Sequence, residues 1–459
     1  MSLDRSRTVF FCGIGGSGMM PLALILQAQG YTVSGSDRAF DQGKTPDKFQ
    51  KIQDAGVCMC AQDGSGITSD VGVLVVSSAI EVSIPDVKMA QDNGIIIRKR
   101  ADVLSEVFGL SDCSVGVSGT SGKTTVTGMI ATVLEENDYN PTVMNGGSVR
   151  NLEETGASPF GSLLVGDGDY FVSEMDESDG SIELFSPDIS VLNNIELDHT
   201  SLEQLFVYFQ GFLDRAKKGA VVNLDNTNVS KLSMPKNTLS YGIDHPNAVI
   251  KATDLNPRKD GVSFRVEGKN VRLQVPGRHN VSNALAALCV AKHIGMSLDD
   301  AIRGLESFTG IRRRLETLGC TSDDVTVIDD FAHNPDKIAA SLATLKEFDG
   351  RIIVMFQPHG FAPLRMMGKE MAEVFARYMS ADDILCIPEV YYAGGTVDRC
   401  VTAKDFVSMI QNAGVRHSHY FENREVIAPF IEDNVRSGDR VVIMGARDDT
   451  LTDFAKSFL

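Results

Sequence analysis

A glycine-rich loop with one lysine and two threonines lies at residues 118–125 (SGTSGKTT), after the apolar run 114–117 and before a helical pattern. Backbone amides of such a loop can surround phosphate oxygens, the Lys123 ammonium adds positive charge, and the Thr124 hydroxyl can bind Mg²⁺. The strict pattern has glycine where this chain has Val117, so the loop is a variant. We call residues 118–125 the phosphate loop, and they predict a triphosphate site.

A second such loop, which we call the glycine loop, lies at residues 13–18 (GIGGSG) after the strand pattern of residues 8–12. Its GxGxxG spacing lets the backbone approach a diphosphate, whose charge is met by amides and by the dipole of the following helix. Asp37 closes the next strand pattern, where a carboxylate can reach a ribose hydroxyl. The spacing does not distinguish NAD, FAD and a UDP-sugar, and a tight turn without ligand is the alternative. Two such loops in consecutive α/β units predict two anionic substrates.

Acidic residues follow two further apolar strand patterns. Residues 174–179 (EMDESD) follow the pattern at 170–173, and residues 193–199 (NNIELDH) follow the pattern at 189–192. Carboxylates at strand ends beside a nucleotide loop are where a P-loop enzyme binds Mg²⁺. For any single acid, a solvated loop position is the alternative interpretation. The set predicts a metal site next to the phosphate loop.

The composition restricts the class of protein. The chain has 459 residues, with 43 Lys and Arg against 61 Asp and Glu, and a formal net charge of −18. This charge opposes binding to nucleic acid or acidic membranes. We expect neither a membrane-spanning helix nor a secretory signal, because apolar runs of about 18 residues are absent and residues 1–7 are polar. The eight cysteines lack metal-type spacings, which indicates buried, reduced thiols in a cytoplasmic protein.

Strand patterns alternate with helical patterns along nearly the whole chain, which predicts an α/β fold with mainly parallel sheets. We predict a Rossmann-like N-terminal domain at residues 1–110 and a central P-loop ATPase-like domain at residues 111–315. A C-terminal Rossmann-like α/β domain follows at residues 316–459. Further strand patterns lie at residues 71–77, 220–223, 351–355, 384–387 and 440–444.

Taken in order, the motifs resemble those of the Mur ligases, ATP-dependent enzymes that form amide bonds in peptidoglycan assembly. The resemblance covers essentially the whole chain and includes both loops and both acidic segments. It is also carried by residues 35–37 (GSD), 77–80 (SSAI), 277–280 (GRHN), 283–284 (NA), 312–316 (RRRLE), 329–335 (DDFAHNP) and 356–359 (FQPH).

The resemblance implies a ligase that joins an amino acid, L-alanine as the first choice, to the carboxylate of UDP-N-acetylmuramate through an acyl phosphate. It implies ATP and Mg²⁺ as cofactors, a UDP-sugar-binding N-terminal domain, and a C-terminal domain that closes over ATP and the amino acid. The implied partners are these two substrates, without nucleic acid or membrane, and the implied state is a monomer or homodimer.

The resemblance also implies roles for individual residues. The implied catalytic residues are Lys123, His199 and Glu174, and the implied metal ligands are Thr124, Glu174 and His199. The implied ATP-binding residues are Gly119, Thr120, Ser121, Gly122, Lys123, Thr124, Thr125, Asn280, Asn283, Arg314 and Asp330. The implied substrate-binding residues are Gly15, Ser17, Gly18, Asp37, Ser78, Asn145, Gly146, His333 and Arg365.

Several positions depart from the family pattern, including Ala332 and residues 360–365 (GFAPLR). Ser121 stands where L-alanine-adding members usually carry His, Asn334 is closer to diaminopimelate- or lysine-adding members, and Arg447 replaces a usual glycine. Alternatives are therefore a related ligase that adds another amino acid or a recycled peptide, and a nucleotide-binding regulatory or scaffold protein without turnover. A dinucleotide-dependent oxidoreductase is a further alternative, but it leaves the phosphate loop and the acidic strand ends unexplained.

Overall fold

The computed structural model of the chain describes residues 3–77, 81, 83–158, 160–197, 200–392, 400–446, 448 and 450–459. Ser78, His199 and Arg447, which the sequence analysis singled out, lie outside the described residues. The chain forms two compact units. The first comprises Met1–Leu255, Ser263–Gln274 and Asn280–Thr309, and the second comprises Asn256–Val262, Val275–His279 and Gly310–Leu459.

The N-terminal part of the first unit is a parallel sheet covered by helices. Its described strands are β1 (Thr8–Cys12), β2 (Val33–Ser36), β3 (Cys58–Cys60), β4 (Val71–Val76) and β5 (Ile96–Lys99). Its described helices are α1 (Met19–Ala28), α2 (Arg38–Asp41), α3 (Pro46–Asp54), α4 (Pro85–Asp92) and α5 (Arg100–Gly109). The strand order is β3-β2-β1-β4-β5, and every residue of β1 is buried, as expected for a central strand with both faces covered.

The rest of the first unit is built on a larger sheet, whose strands and helices also include residues 256–258, 261–262 and 278–279 of the second unit. Its described strands are β6 (Cys113–Ser118), β7 (Thr142–Met144), β8 (Leu163–Leu164), β9 (Tyr170–Glu174), β10 (Ile189–Leu192), β11 (Gly219–Asn223), β12 (Thr238–Gly242), β13 (Ile250–Arg258), β14 (Gly261–Val266) and β15 (Lys269–Leu273). Its described helices are α6 (Lys123–Glu135), α7 (Arg150–Glu154), α8 (Leu202–Asp214), α9 (Arg278–His293) and α10 (Leu298–Glu306), with 3-10 turns at Ser181–Leu184 and Val229–Lys231.

The strand order of this sheet brings the predicted motifs to one edge. The order is β15-β14-β13-β12-β11-β10-β6-β9-β7-β8, and β6 lies between β10 and β9, both parallel to it. Carboxyl ends of parallel strands lie at the same edge of a sheet. The phosphate loop after β6 is therefore flanked by the acidic segment after β9 and by the asparagines after β10.

Helix α10 packs closely against α6, the helix that follows the phosphate loop. A Cβ atom on Gly304 would lie 2.9 Å from Cα of Val133, so only glycine permits this approach. The Asn137 side chain donates to the carbonyl oxygen of Asp300 at 3.2 Å, and the two residues are 163 positions apart in the chain. The helix of the phosphate loop thus depends on a late segment for its packing.

Phe212 of α8 supports the central sheet from one face. Its side chain is fully buried, and its ring lies beside Gly116, where a Cβ atom would be 3.1 Å from Cζ of Phe212. We expect Phe212→Ala to lower the free energy of unfolding by about 3–5 kcal/mol, because it removes an aromatic ring from a packed core. Urea denaturation followed by circular dichroism measures this loss.

Val207 of the same helix provides the matched control, because its side chain is 61% exposed. Val207→Ala should change the free energy of unfolding by no more than about 0.5 kcal/mol. Equal losses of unfolding free energy in the two variants would contradict the assignment of the α8 face that packs on the sheet.

The second unit contains a third α/β sheet. Its described strands are β16 (Glu316–Cys320), β17 (Thr326–Asp330), β18 (Ile352–Gln357), β19 (Ile384–Pro388), β20 (Ser418–Phe421) and β21 (Arg440–Gly445). Its described helices are α11 (Pro335–Leu345), α12 (Phe361–Tyr378), α13 (Ala403–Ala413), α14 (Ile427–Asn434) and α15 (Leu451–Lys456), with a 3-10 turn at Arg424–Val426. The order is β16-β17-β21-β18-β19-β20, and only β16 is antiparallel among these described strands.

The predicted α/β class with mainly parallel sheets is confirmed, and each quoted strand pattern corresponds to a strand whose ends differ by at most two residues. The expectation of buried cysteines is wrong for Cys58, Cys320 and Cys400, which are exposed. Cys58 and Cys320 occupy sheet edges in β3 and β16, where a side chain has fewer neighbours. Within the described ranges, we find no helix with the length and hydropathy needed to cross a bilayer.

Candidate active site

The phosphate loop connects β6 to α6 and passes close to polar side chains from other strands. Gly122 has φ +81°, and a Cβ atom there would collide with the side-chain amides of Asn193 and Asn283. Glycine is therefore required on both conformational and steric grounds. The first turn of α6 contains no acidic residue and, within the described residues, no side chain caps it. Its amides and helix dipole favour an anion at this point.

Lys123 is held at the start of α6 by two acceptors. Its Nζ donates to the carbonyl oxygen of Gly119 at 2.6 Å and lies 2.9 Å from Oε2 of Glu177. The Glu177 side chain is only 5% exposed. Burial raises the pKa of Glu177, and the neighbouring Lys123 opposes that rise. The lysine ammonium is therefore held in a fixed position at the loop by a carbonyl oxygen and a buried counter-ion.

Glu174 connects the phosphate loop to a third loop of the same unit. Its carboxylate accepts a hydrogen bond from Oγ1 of Thr124 at 3.2 Å and another from the backbone amide of Gly146. The structure thus brings together Thr124 and Glu174, two of the three predicted metal ligands. The third, His199, lies outside the described residues.

Asn145, next to Gly146, carries a buried donor beside Glu174. Its side chain is 5% exposed, and its Nδ2 has no hydrogen-bond partner among the described residues. Buried amide donors are nearly always paired in folded proteins. An oxygen-bearing substrate group at this point would satisfy the donor, so Asn145 and Gly146 fit their predicted place in substrate binding.

The chemistry of the donors fits a hard divalent cation. A threonine hydroxyl and a carboxylate are oxygen ligands, and Mg²⁺ takes few protein ligands because waters and phosphate oxygens complete its coordination. Clusters of three or more His, Cys, Asp or Glu side chains suited to a metal are absent from the described part of the chain. A small set of protein ligands is therefore what this site offers.

Asn194, directly after β10, braces the phosphate loop. Its Oδ1 accepts from the Ser121 amide at 2.8 Å and from the Thr120 hydroxyl at 2.9 Å, and its Nδ2 donates to Oγ of Ser121 at 2.8 Å. Ser121, which departs from the family pattern, is therefore integrated into the loop by its own hydroxyl. Asn194 lies in the segment 193–199 quoted above, but no role was predicted for it.

Asn280 and Asn283 lie in the first turns of α9, and both are buried. Asn283 accepts a hydrogen bond from Nδ2 of Asn193 at 3.2 Å, and the same Nδ2 donates to the Ser121 carbonyl at 3.0 Å. The predicted ATP-binding residues of the first unit, which are Gly119–Thr125, Asn280 and Asn283, therefore form one connected site.

The glycine loop lies between β1 and α1. The amide of Gly15 donates to Oδ2 of Asp37 at 2.8 Å, and Ala39 donates to Oδ1 at 2.8 Å. Both oxygens of Asp37 thus hold the backbone of the loop and of α2. Among the other predicted residues, Ser17 is exposed and Gly18 is half-buried.

Two cations that the sequence analysis missed lie against the glycine loop. Lys48 donates to the carbonyl oxygen of Gly15, and a Cβ atom on Gly18 would lie 3.1 Å from Cδ of Arg100. Lys48 comes from α3 and Arg100 from α5, so their approach depends on the folded sheet. Positive charge at this loop favours the diphosphate interpretation over a ligand-free turn.

The remaining predicted residues belong to the second unit. Asp330, at the end of β17, accepts from the Leu315 amide at 3.2 Å and from the Ser341 hydroxyl at 2.5 Å. Burial raises the pKa of Asp330. Arg365 lies on the exposed side of α12, with Nη1 4.0 Å from Sγ of Cys400.

An aromatic cluster surrounds His333 in the same unit. Nδ1 of His333 donates to the carbonyl oxygen of Phe331 at 2.8 Å, and its ring centroid lies 5.2 Å from that of His359. The Arg314 guanidinium lies 5.1 Å from the centroid of the Phe331 ring. Burial, with Lys337 nearby, lowers the pKa of His333 to about 3. Arg314 and His333 therefore both contact Phe331, and the imidazole of His333 is neutral.

Comparison with protein families gives three consecutive matches. Residues 8–110 match the Mur ligase family catalytic domain, residues 117–291 the Mur ligase middle domain, and residues 313–447 the Mur ligase glutamate ligase domain. These matches follow the order of the three sheets along the chain.

Individual relatives match over nearly the full length. UDP-N-acetylmuramate–L-alanine ligases from Dictyoglomus turgidum and Gloeobacter violaceus are each 34% identical, over 96% and 97% of this chain and 94% and 95% of their own. The crystal structure of UDP-N-acetylmuramate-alanine ligase from Thermotoga maritima matches with a TM-score of 0.78 and 25% identity, covering 98% of both chains. A murein peptide ligase from Psychrobacter arcticus shares the fold, with a TM-score of 0.66 and 23% identity over 96% and 95% of the chains. The chain belongs to the Mur ligase family.

Proposed function

We propose that the protein joins L-alanine to the carboxylate of UDP-N-acetylmuramate and converts ATP to ADP and phosphate. One observation carries the proposal: the Glu174 carboxylate bonds both Thr124 of the phosphate loop and Gly146. Gly146 follows Asn145, whose Nδ2 has no hydrogen-bond partner among the described residues. The Glu174 side chain therefore contacts both the loop proposed to bind the nucleotide and the loop proposed to bind the substrate acid. The relatives named for this activity and the three-domain family match support it.

The chemistry begins with activation of a poor acyl donor. The substrate carboxylate attacks the γ-phosphorus of ATP in line, the bond to the β–γ bridging oxygen breaks, and ADP leaves as the acyl phosphate forms. In the proposed mechanism the phosphate-loop amides and Lys123 stabilise the charge on the phosphoryl oxygens, because they are already in place before reaction. When bound at Thr124, Glu174 and His199, Mg²⁺ would lessen repulsion between the carboxylate and the phosphate.

The second step is attack of the amino group of L-alanine on the acyl phosphate, which releases phosphate and leaves the amide. We assign Arg314 and Asp330 to ATP, and His333 and Arg365 to the amino-acid side. His333 is suited to hydrogen bonding rather than to proton storage, because its pKa of about 3 keeps the ring neutral. Gly15, Ser17, Gly18 and Asp37 serve the UDP moiety in this proposal.

The proposal also includes the organisation of the chain. We assign the UDP-sugar domain to residues 1–110, the ATP domain to residues 111–315 and the amino-acid domain to residues 316–459. We place the protein in the cytoplasm, because ATP and UDP-sugars are found there. We propose that it is a monomer or a homodimer. The oxidoreductase alternative is not favoured, since it gives no task to Lys123, Glu174 or the second unit.

A phosphate-release assay with ATP, Mg²⁺, UDP-N-acetylmuramate and a panel of amino acids tests the function. We expect release to require the sugar nucleotide and an amino acid, with L-alanine giving the highest kcat/KM. Faster release with a diamino acid or with a peptide would replace the proposed acceptor with that compound. A chain that binds ATP but releases no phosphate with any acceptor would favour the regulatory alternative.

A further inference from the structure

A chain of buried hydrogen bonds extends from β12 to the first turn of α9. The Tyr241 hydroxyl donates to Oδ1 of Asn193 at 2.6 Å, and Nδ2 of Asn193 donates to Oδ1 of Asn283 at 3.2 Å. Nδ2 of Asn283 then donates to Oδ1 of Asn280 at 3.3 Å. We call these four residues the amide relay.

The hydrogen bonds of the relay all run from donor to acceptor in the same direction, from Tyr241 toward Asn280. Tyr241 is fully buried, and burial raises the pKa of its hydroxyl well above the usual value, so the hydroxyl keeps its proton. Nδ2 of Asn193 also donates to the Ser121 carbonyl, which can only accept. An inverted Asn193 amide would direct its oxygen at that carbonyl. Each amide therefore passes a donor to the next, and the oxygen of Asn280 faces Asn283.

The relay also connects the phosphate loop to the first turn of α9. Asn193 touches the phosphate loop at Ser121, whereas Asn280 lies at the start of α9. The bonds between them join the residues assigned to the phosphates to the residue assigned to the base. A change at Tyr241, whose hydroxyl bonds Asn193, would reach both through Asn193.

We propose that Tyr241 is a positioning residue for the nucleotide, which acts through the amide relay to fix the orientation of the Asn280 amide toward the purine. Oδ1 of Asn280 has a second lone pair, which can accept from the 6-amino group of adenine while Nδ2 donates to N7. Guanine presents an acceptor at position 6 instead, so an amide held in this orientation discriminates between the bases and a loosened amide does not. The inference rests on the proposed function, because Asn280 is assigned to adenine there.

Isothermal titration of the full chain with Mg-ATP and with Mg-GTP, without sugar substrate, tests the inference. Tyr241→Phe keeps the ring and leaves Oδ1 of Asn193 without its donor. We expect Kd for ATP to rise about three- to tenfold, which is the loss of one buried hydrogen bond. The preference for ATP over GTP should fall, and KM for UDP-N-acetylmuramate should not change.

Two further variants locate the effect. If Tyr241 acts through Asn193, then Tyr241→Phe should add nothing to Asn193→Ala in the double variant. Tyr420→Phe is the matched control, because its hydroxyl also bonds a side chain, Glu389, at 2.9 Å but lies in the other unit. Its nucleotide affinity and preference should equal those of the parent.

The outcomes separate the inference from the function on which it rests. Unchanged ATP preference in Tyr241→Phe, or additive losses in the double variant, would overturn the inference alone. A parent chain that binds neither nucleotide would overturn the proposed function and the inference with it. Equal rises in Kd for both nucleotides and in KM for the sugar substrate would show general loosening of the fold and would also reject the positioning role.

Discussion

Replacing Lys123 by alanine should reduce ATP-dependent phosphate release by on the order of 10²–10³-fold or more. Lys123 is the cation at the start of α6 that we assign to the phosphates, and its Nζ is held by Gly119 and Glu177. Without it, the charge that develops on the phosphoryl oxygens loses its preorganised partner. Steady-state phosphate release with saturating ATP, UDP-N-acetylmuramate and L-alanine measures the loss.

The same substitution leaves Glu177 buried without its cation, which costs about 3–5 kcal/mol when a buried pair is broken from one side. The double variant Lys123→Ala/Glu177→Gln removes that stranded charge and should restore stability without restoring turnover. Lys269→Ala is the control, because Lys269 is 42% exposed and pairs with Asp299 away from the loop. Undiminished release in Lys123→Ala would refute the assignment of the phosphate loop.

The second large effect is expected for Glu174→Gln. The substitution keeps the size of the side chain and an oxygen that can accept from Thr124, but it removes the negative charge proposed to bind Mg²⁺. We expect kcat to fall on the order of 100-fold and the Mg²⁺ concentration for half-maximal rate to rise, as when a charged ligand of a catalytic metal is lost. Phosphate release measured across a Mg²⁺ titration separates the two effects.

Asp169→Asn provides the matched control for this prediction. Asp169 is exposed and directly precedes β9, whereas Glu174 ends the same strand. The control should have the kcat and the Mg²⁺ dependence of the parent. A Glu174→Gln enzyme with an unchanged Mg²⁺ requirement would show that this carboxylate holds the Gly146 loop and does not bind the metal.

Features determined by local pattern could be predicted from the sequence. The strands of the central sheet are short apolar runs with β-branched residues, and the phosphate loop follows one of them directly, so β6, α6 and Lys123 could be placed correctly. The meeting of Glu174 with Thr124 followed from a general rule, because parallel strands end at one edge.

Contacts between distant segments could not be predicted in the same way. Tyr241 occupies an ordinary strand pattern, and its bond to Asn193 exists only because β12 and β10 belong to one sheet. Lys48 and Arg100 lie on helices whose sequences give no sign of the glycine loop. The exposure of Cys58 was missed for a related reason, since whether a short strand lies at an edge depends on the strand order.

The packing of α10 on α6 bears on how the chain acquires its structure during synthesis. Asn137 and Asp300 are separated by 163 residues, so at about 5–20 residues per second the ribosome needs roughly 10–30 s to deliver the partner of the earlier helix. Throughout that interval the side of α6 that packs on α10 lacks this partner. The nascent chain is then most exposed to misassembly, and a chaperone that shields this surface would act before translation reaches Gly310–Leu459, the main part of the second unit.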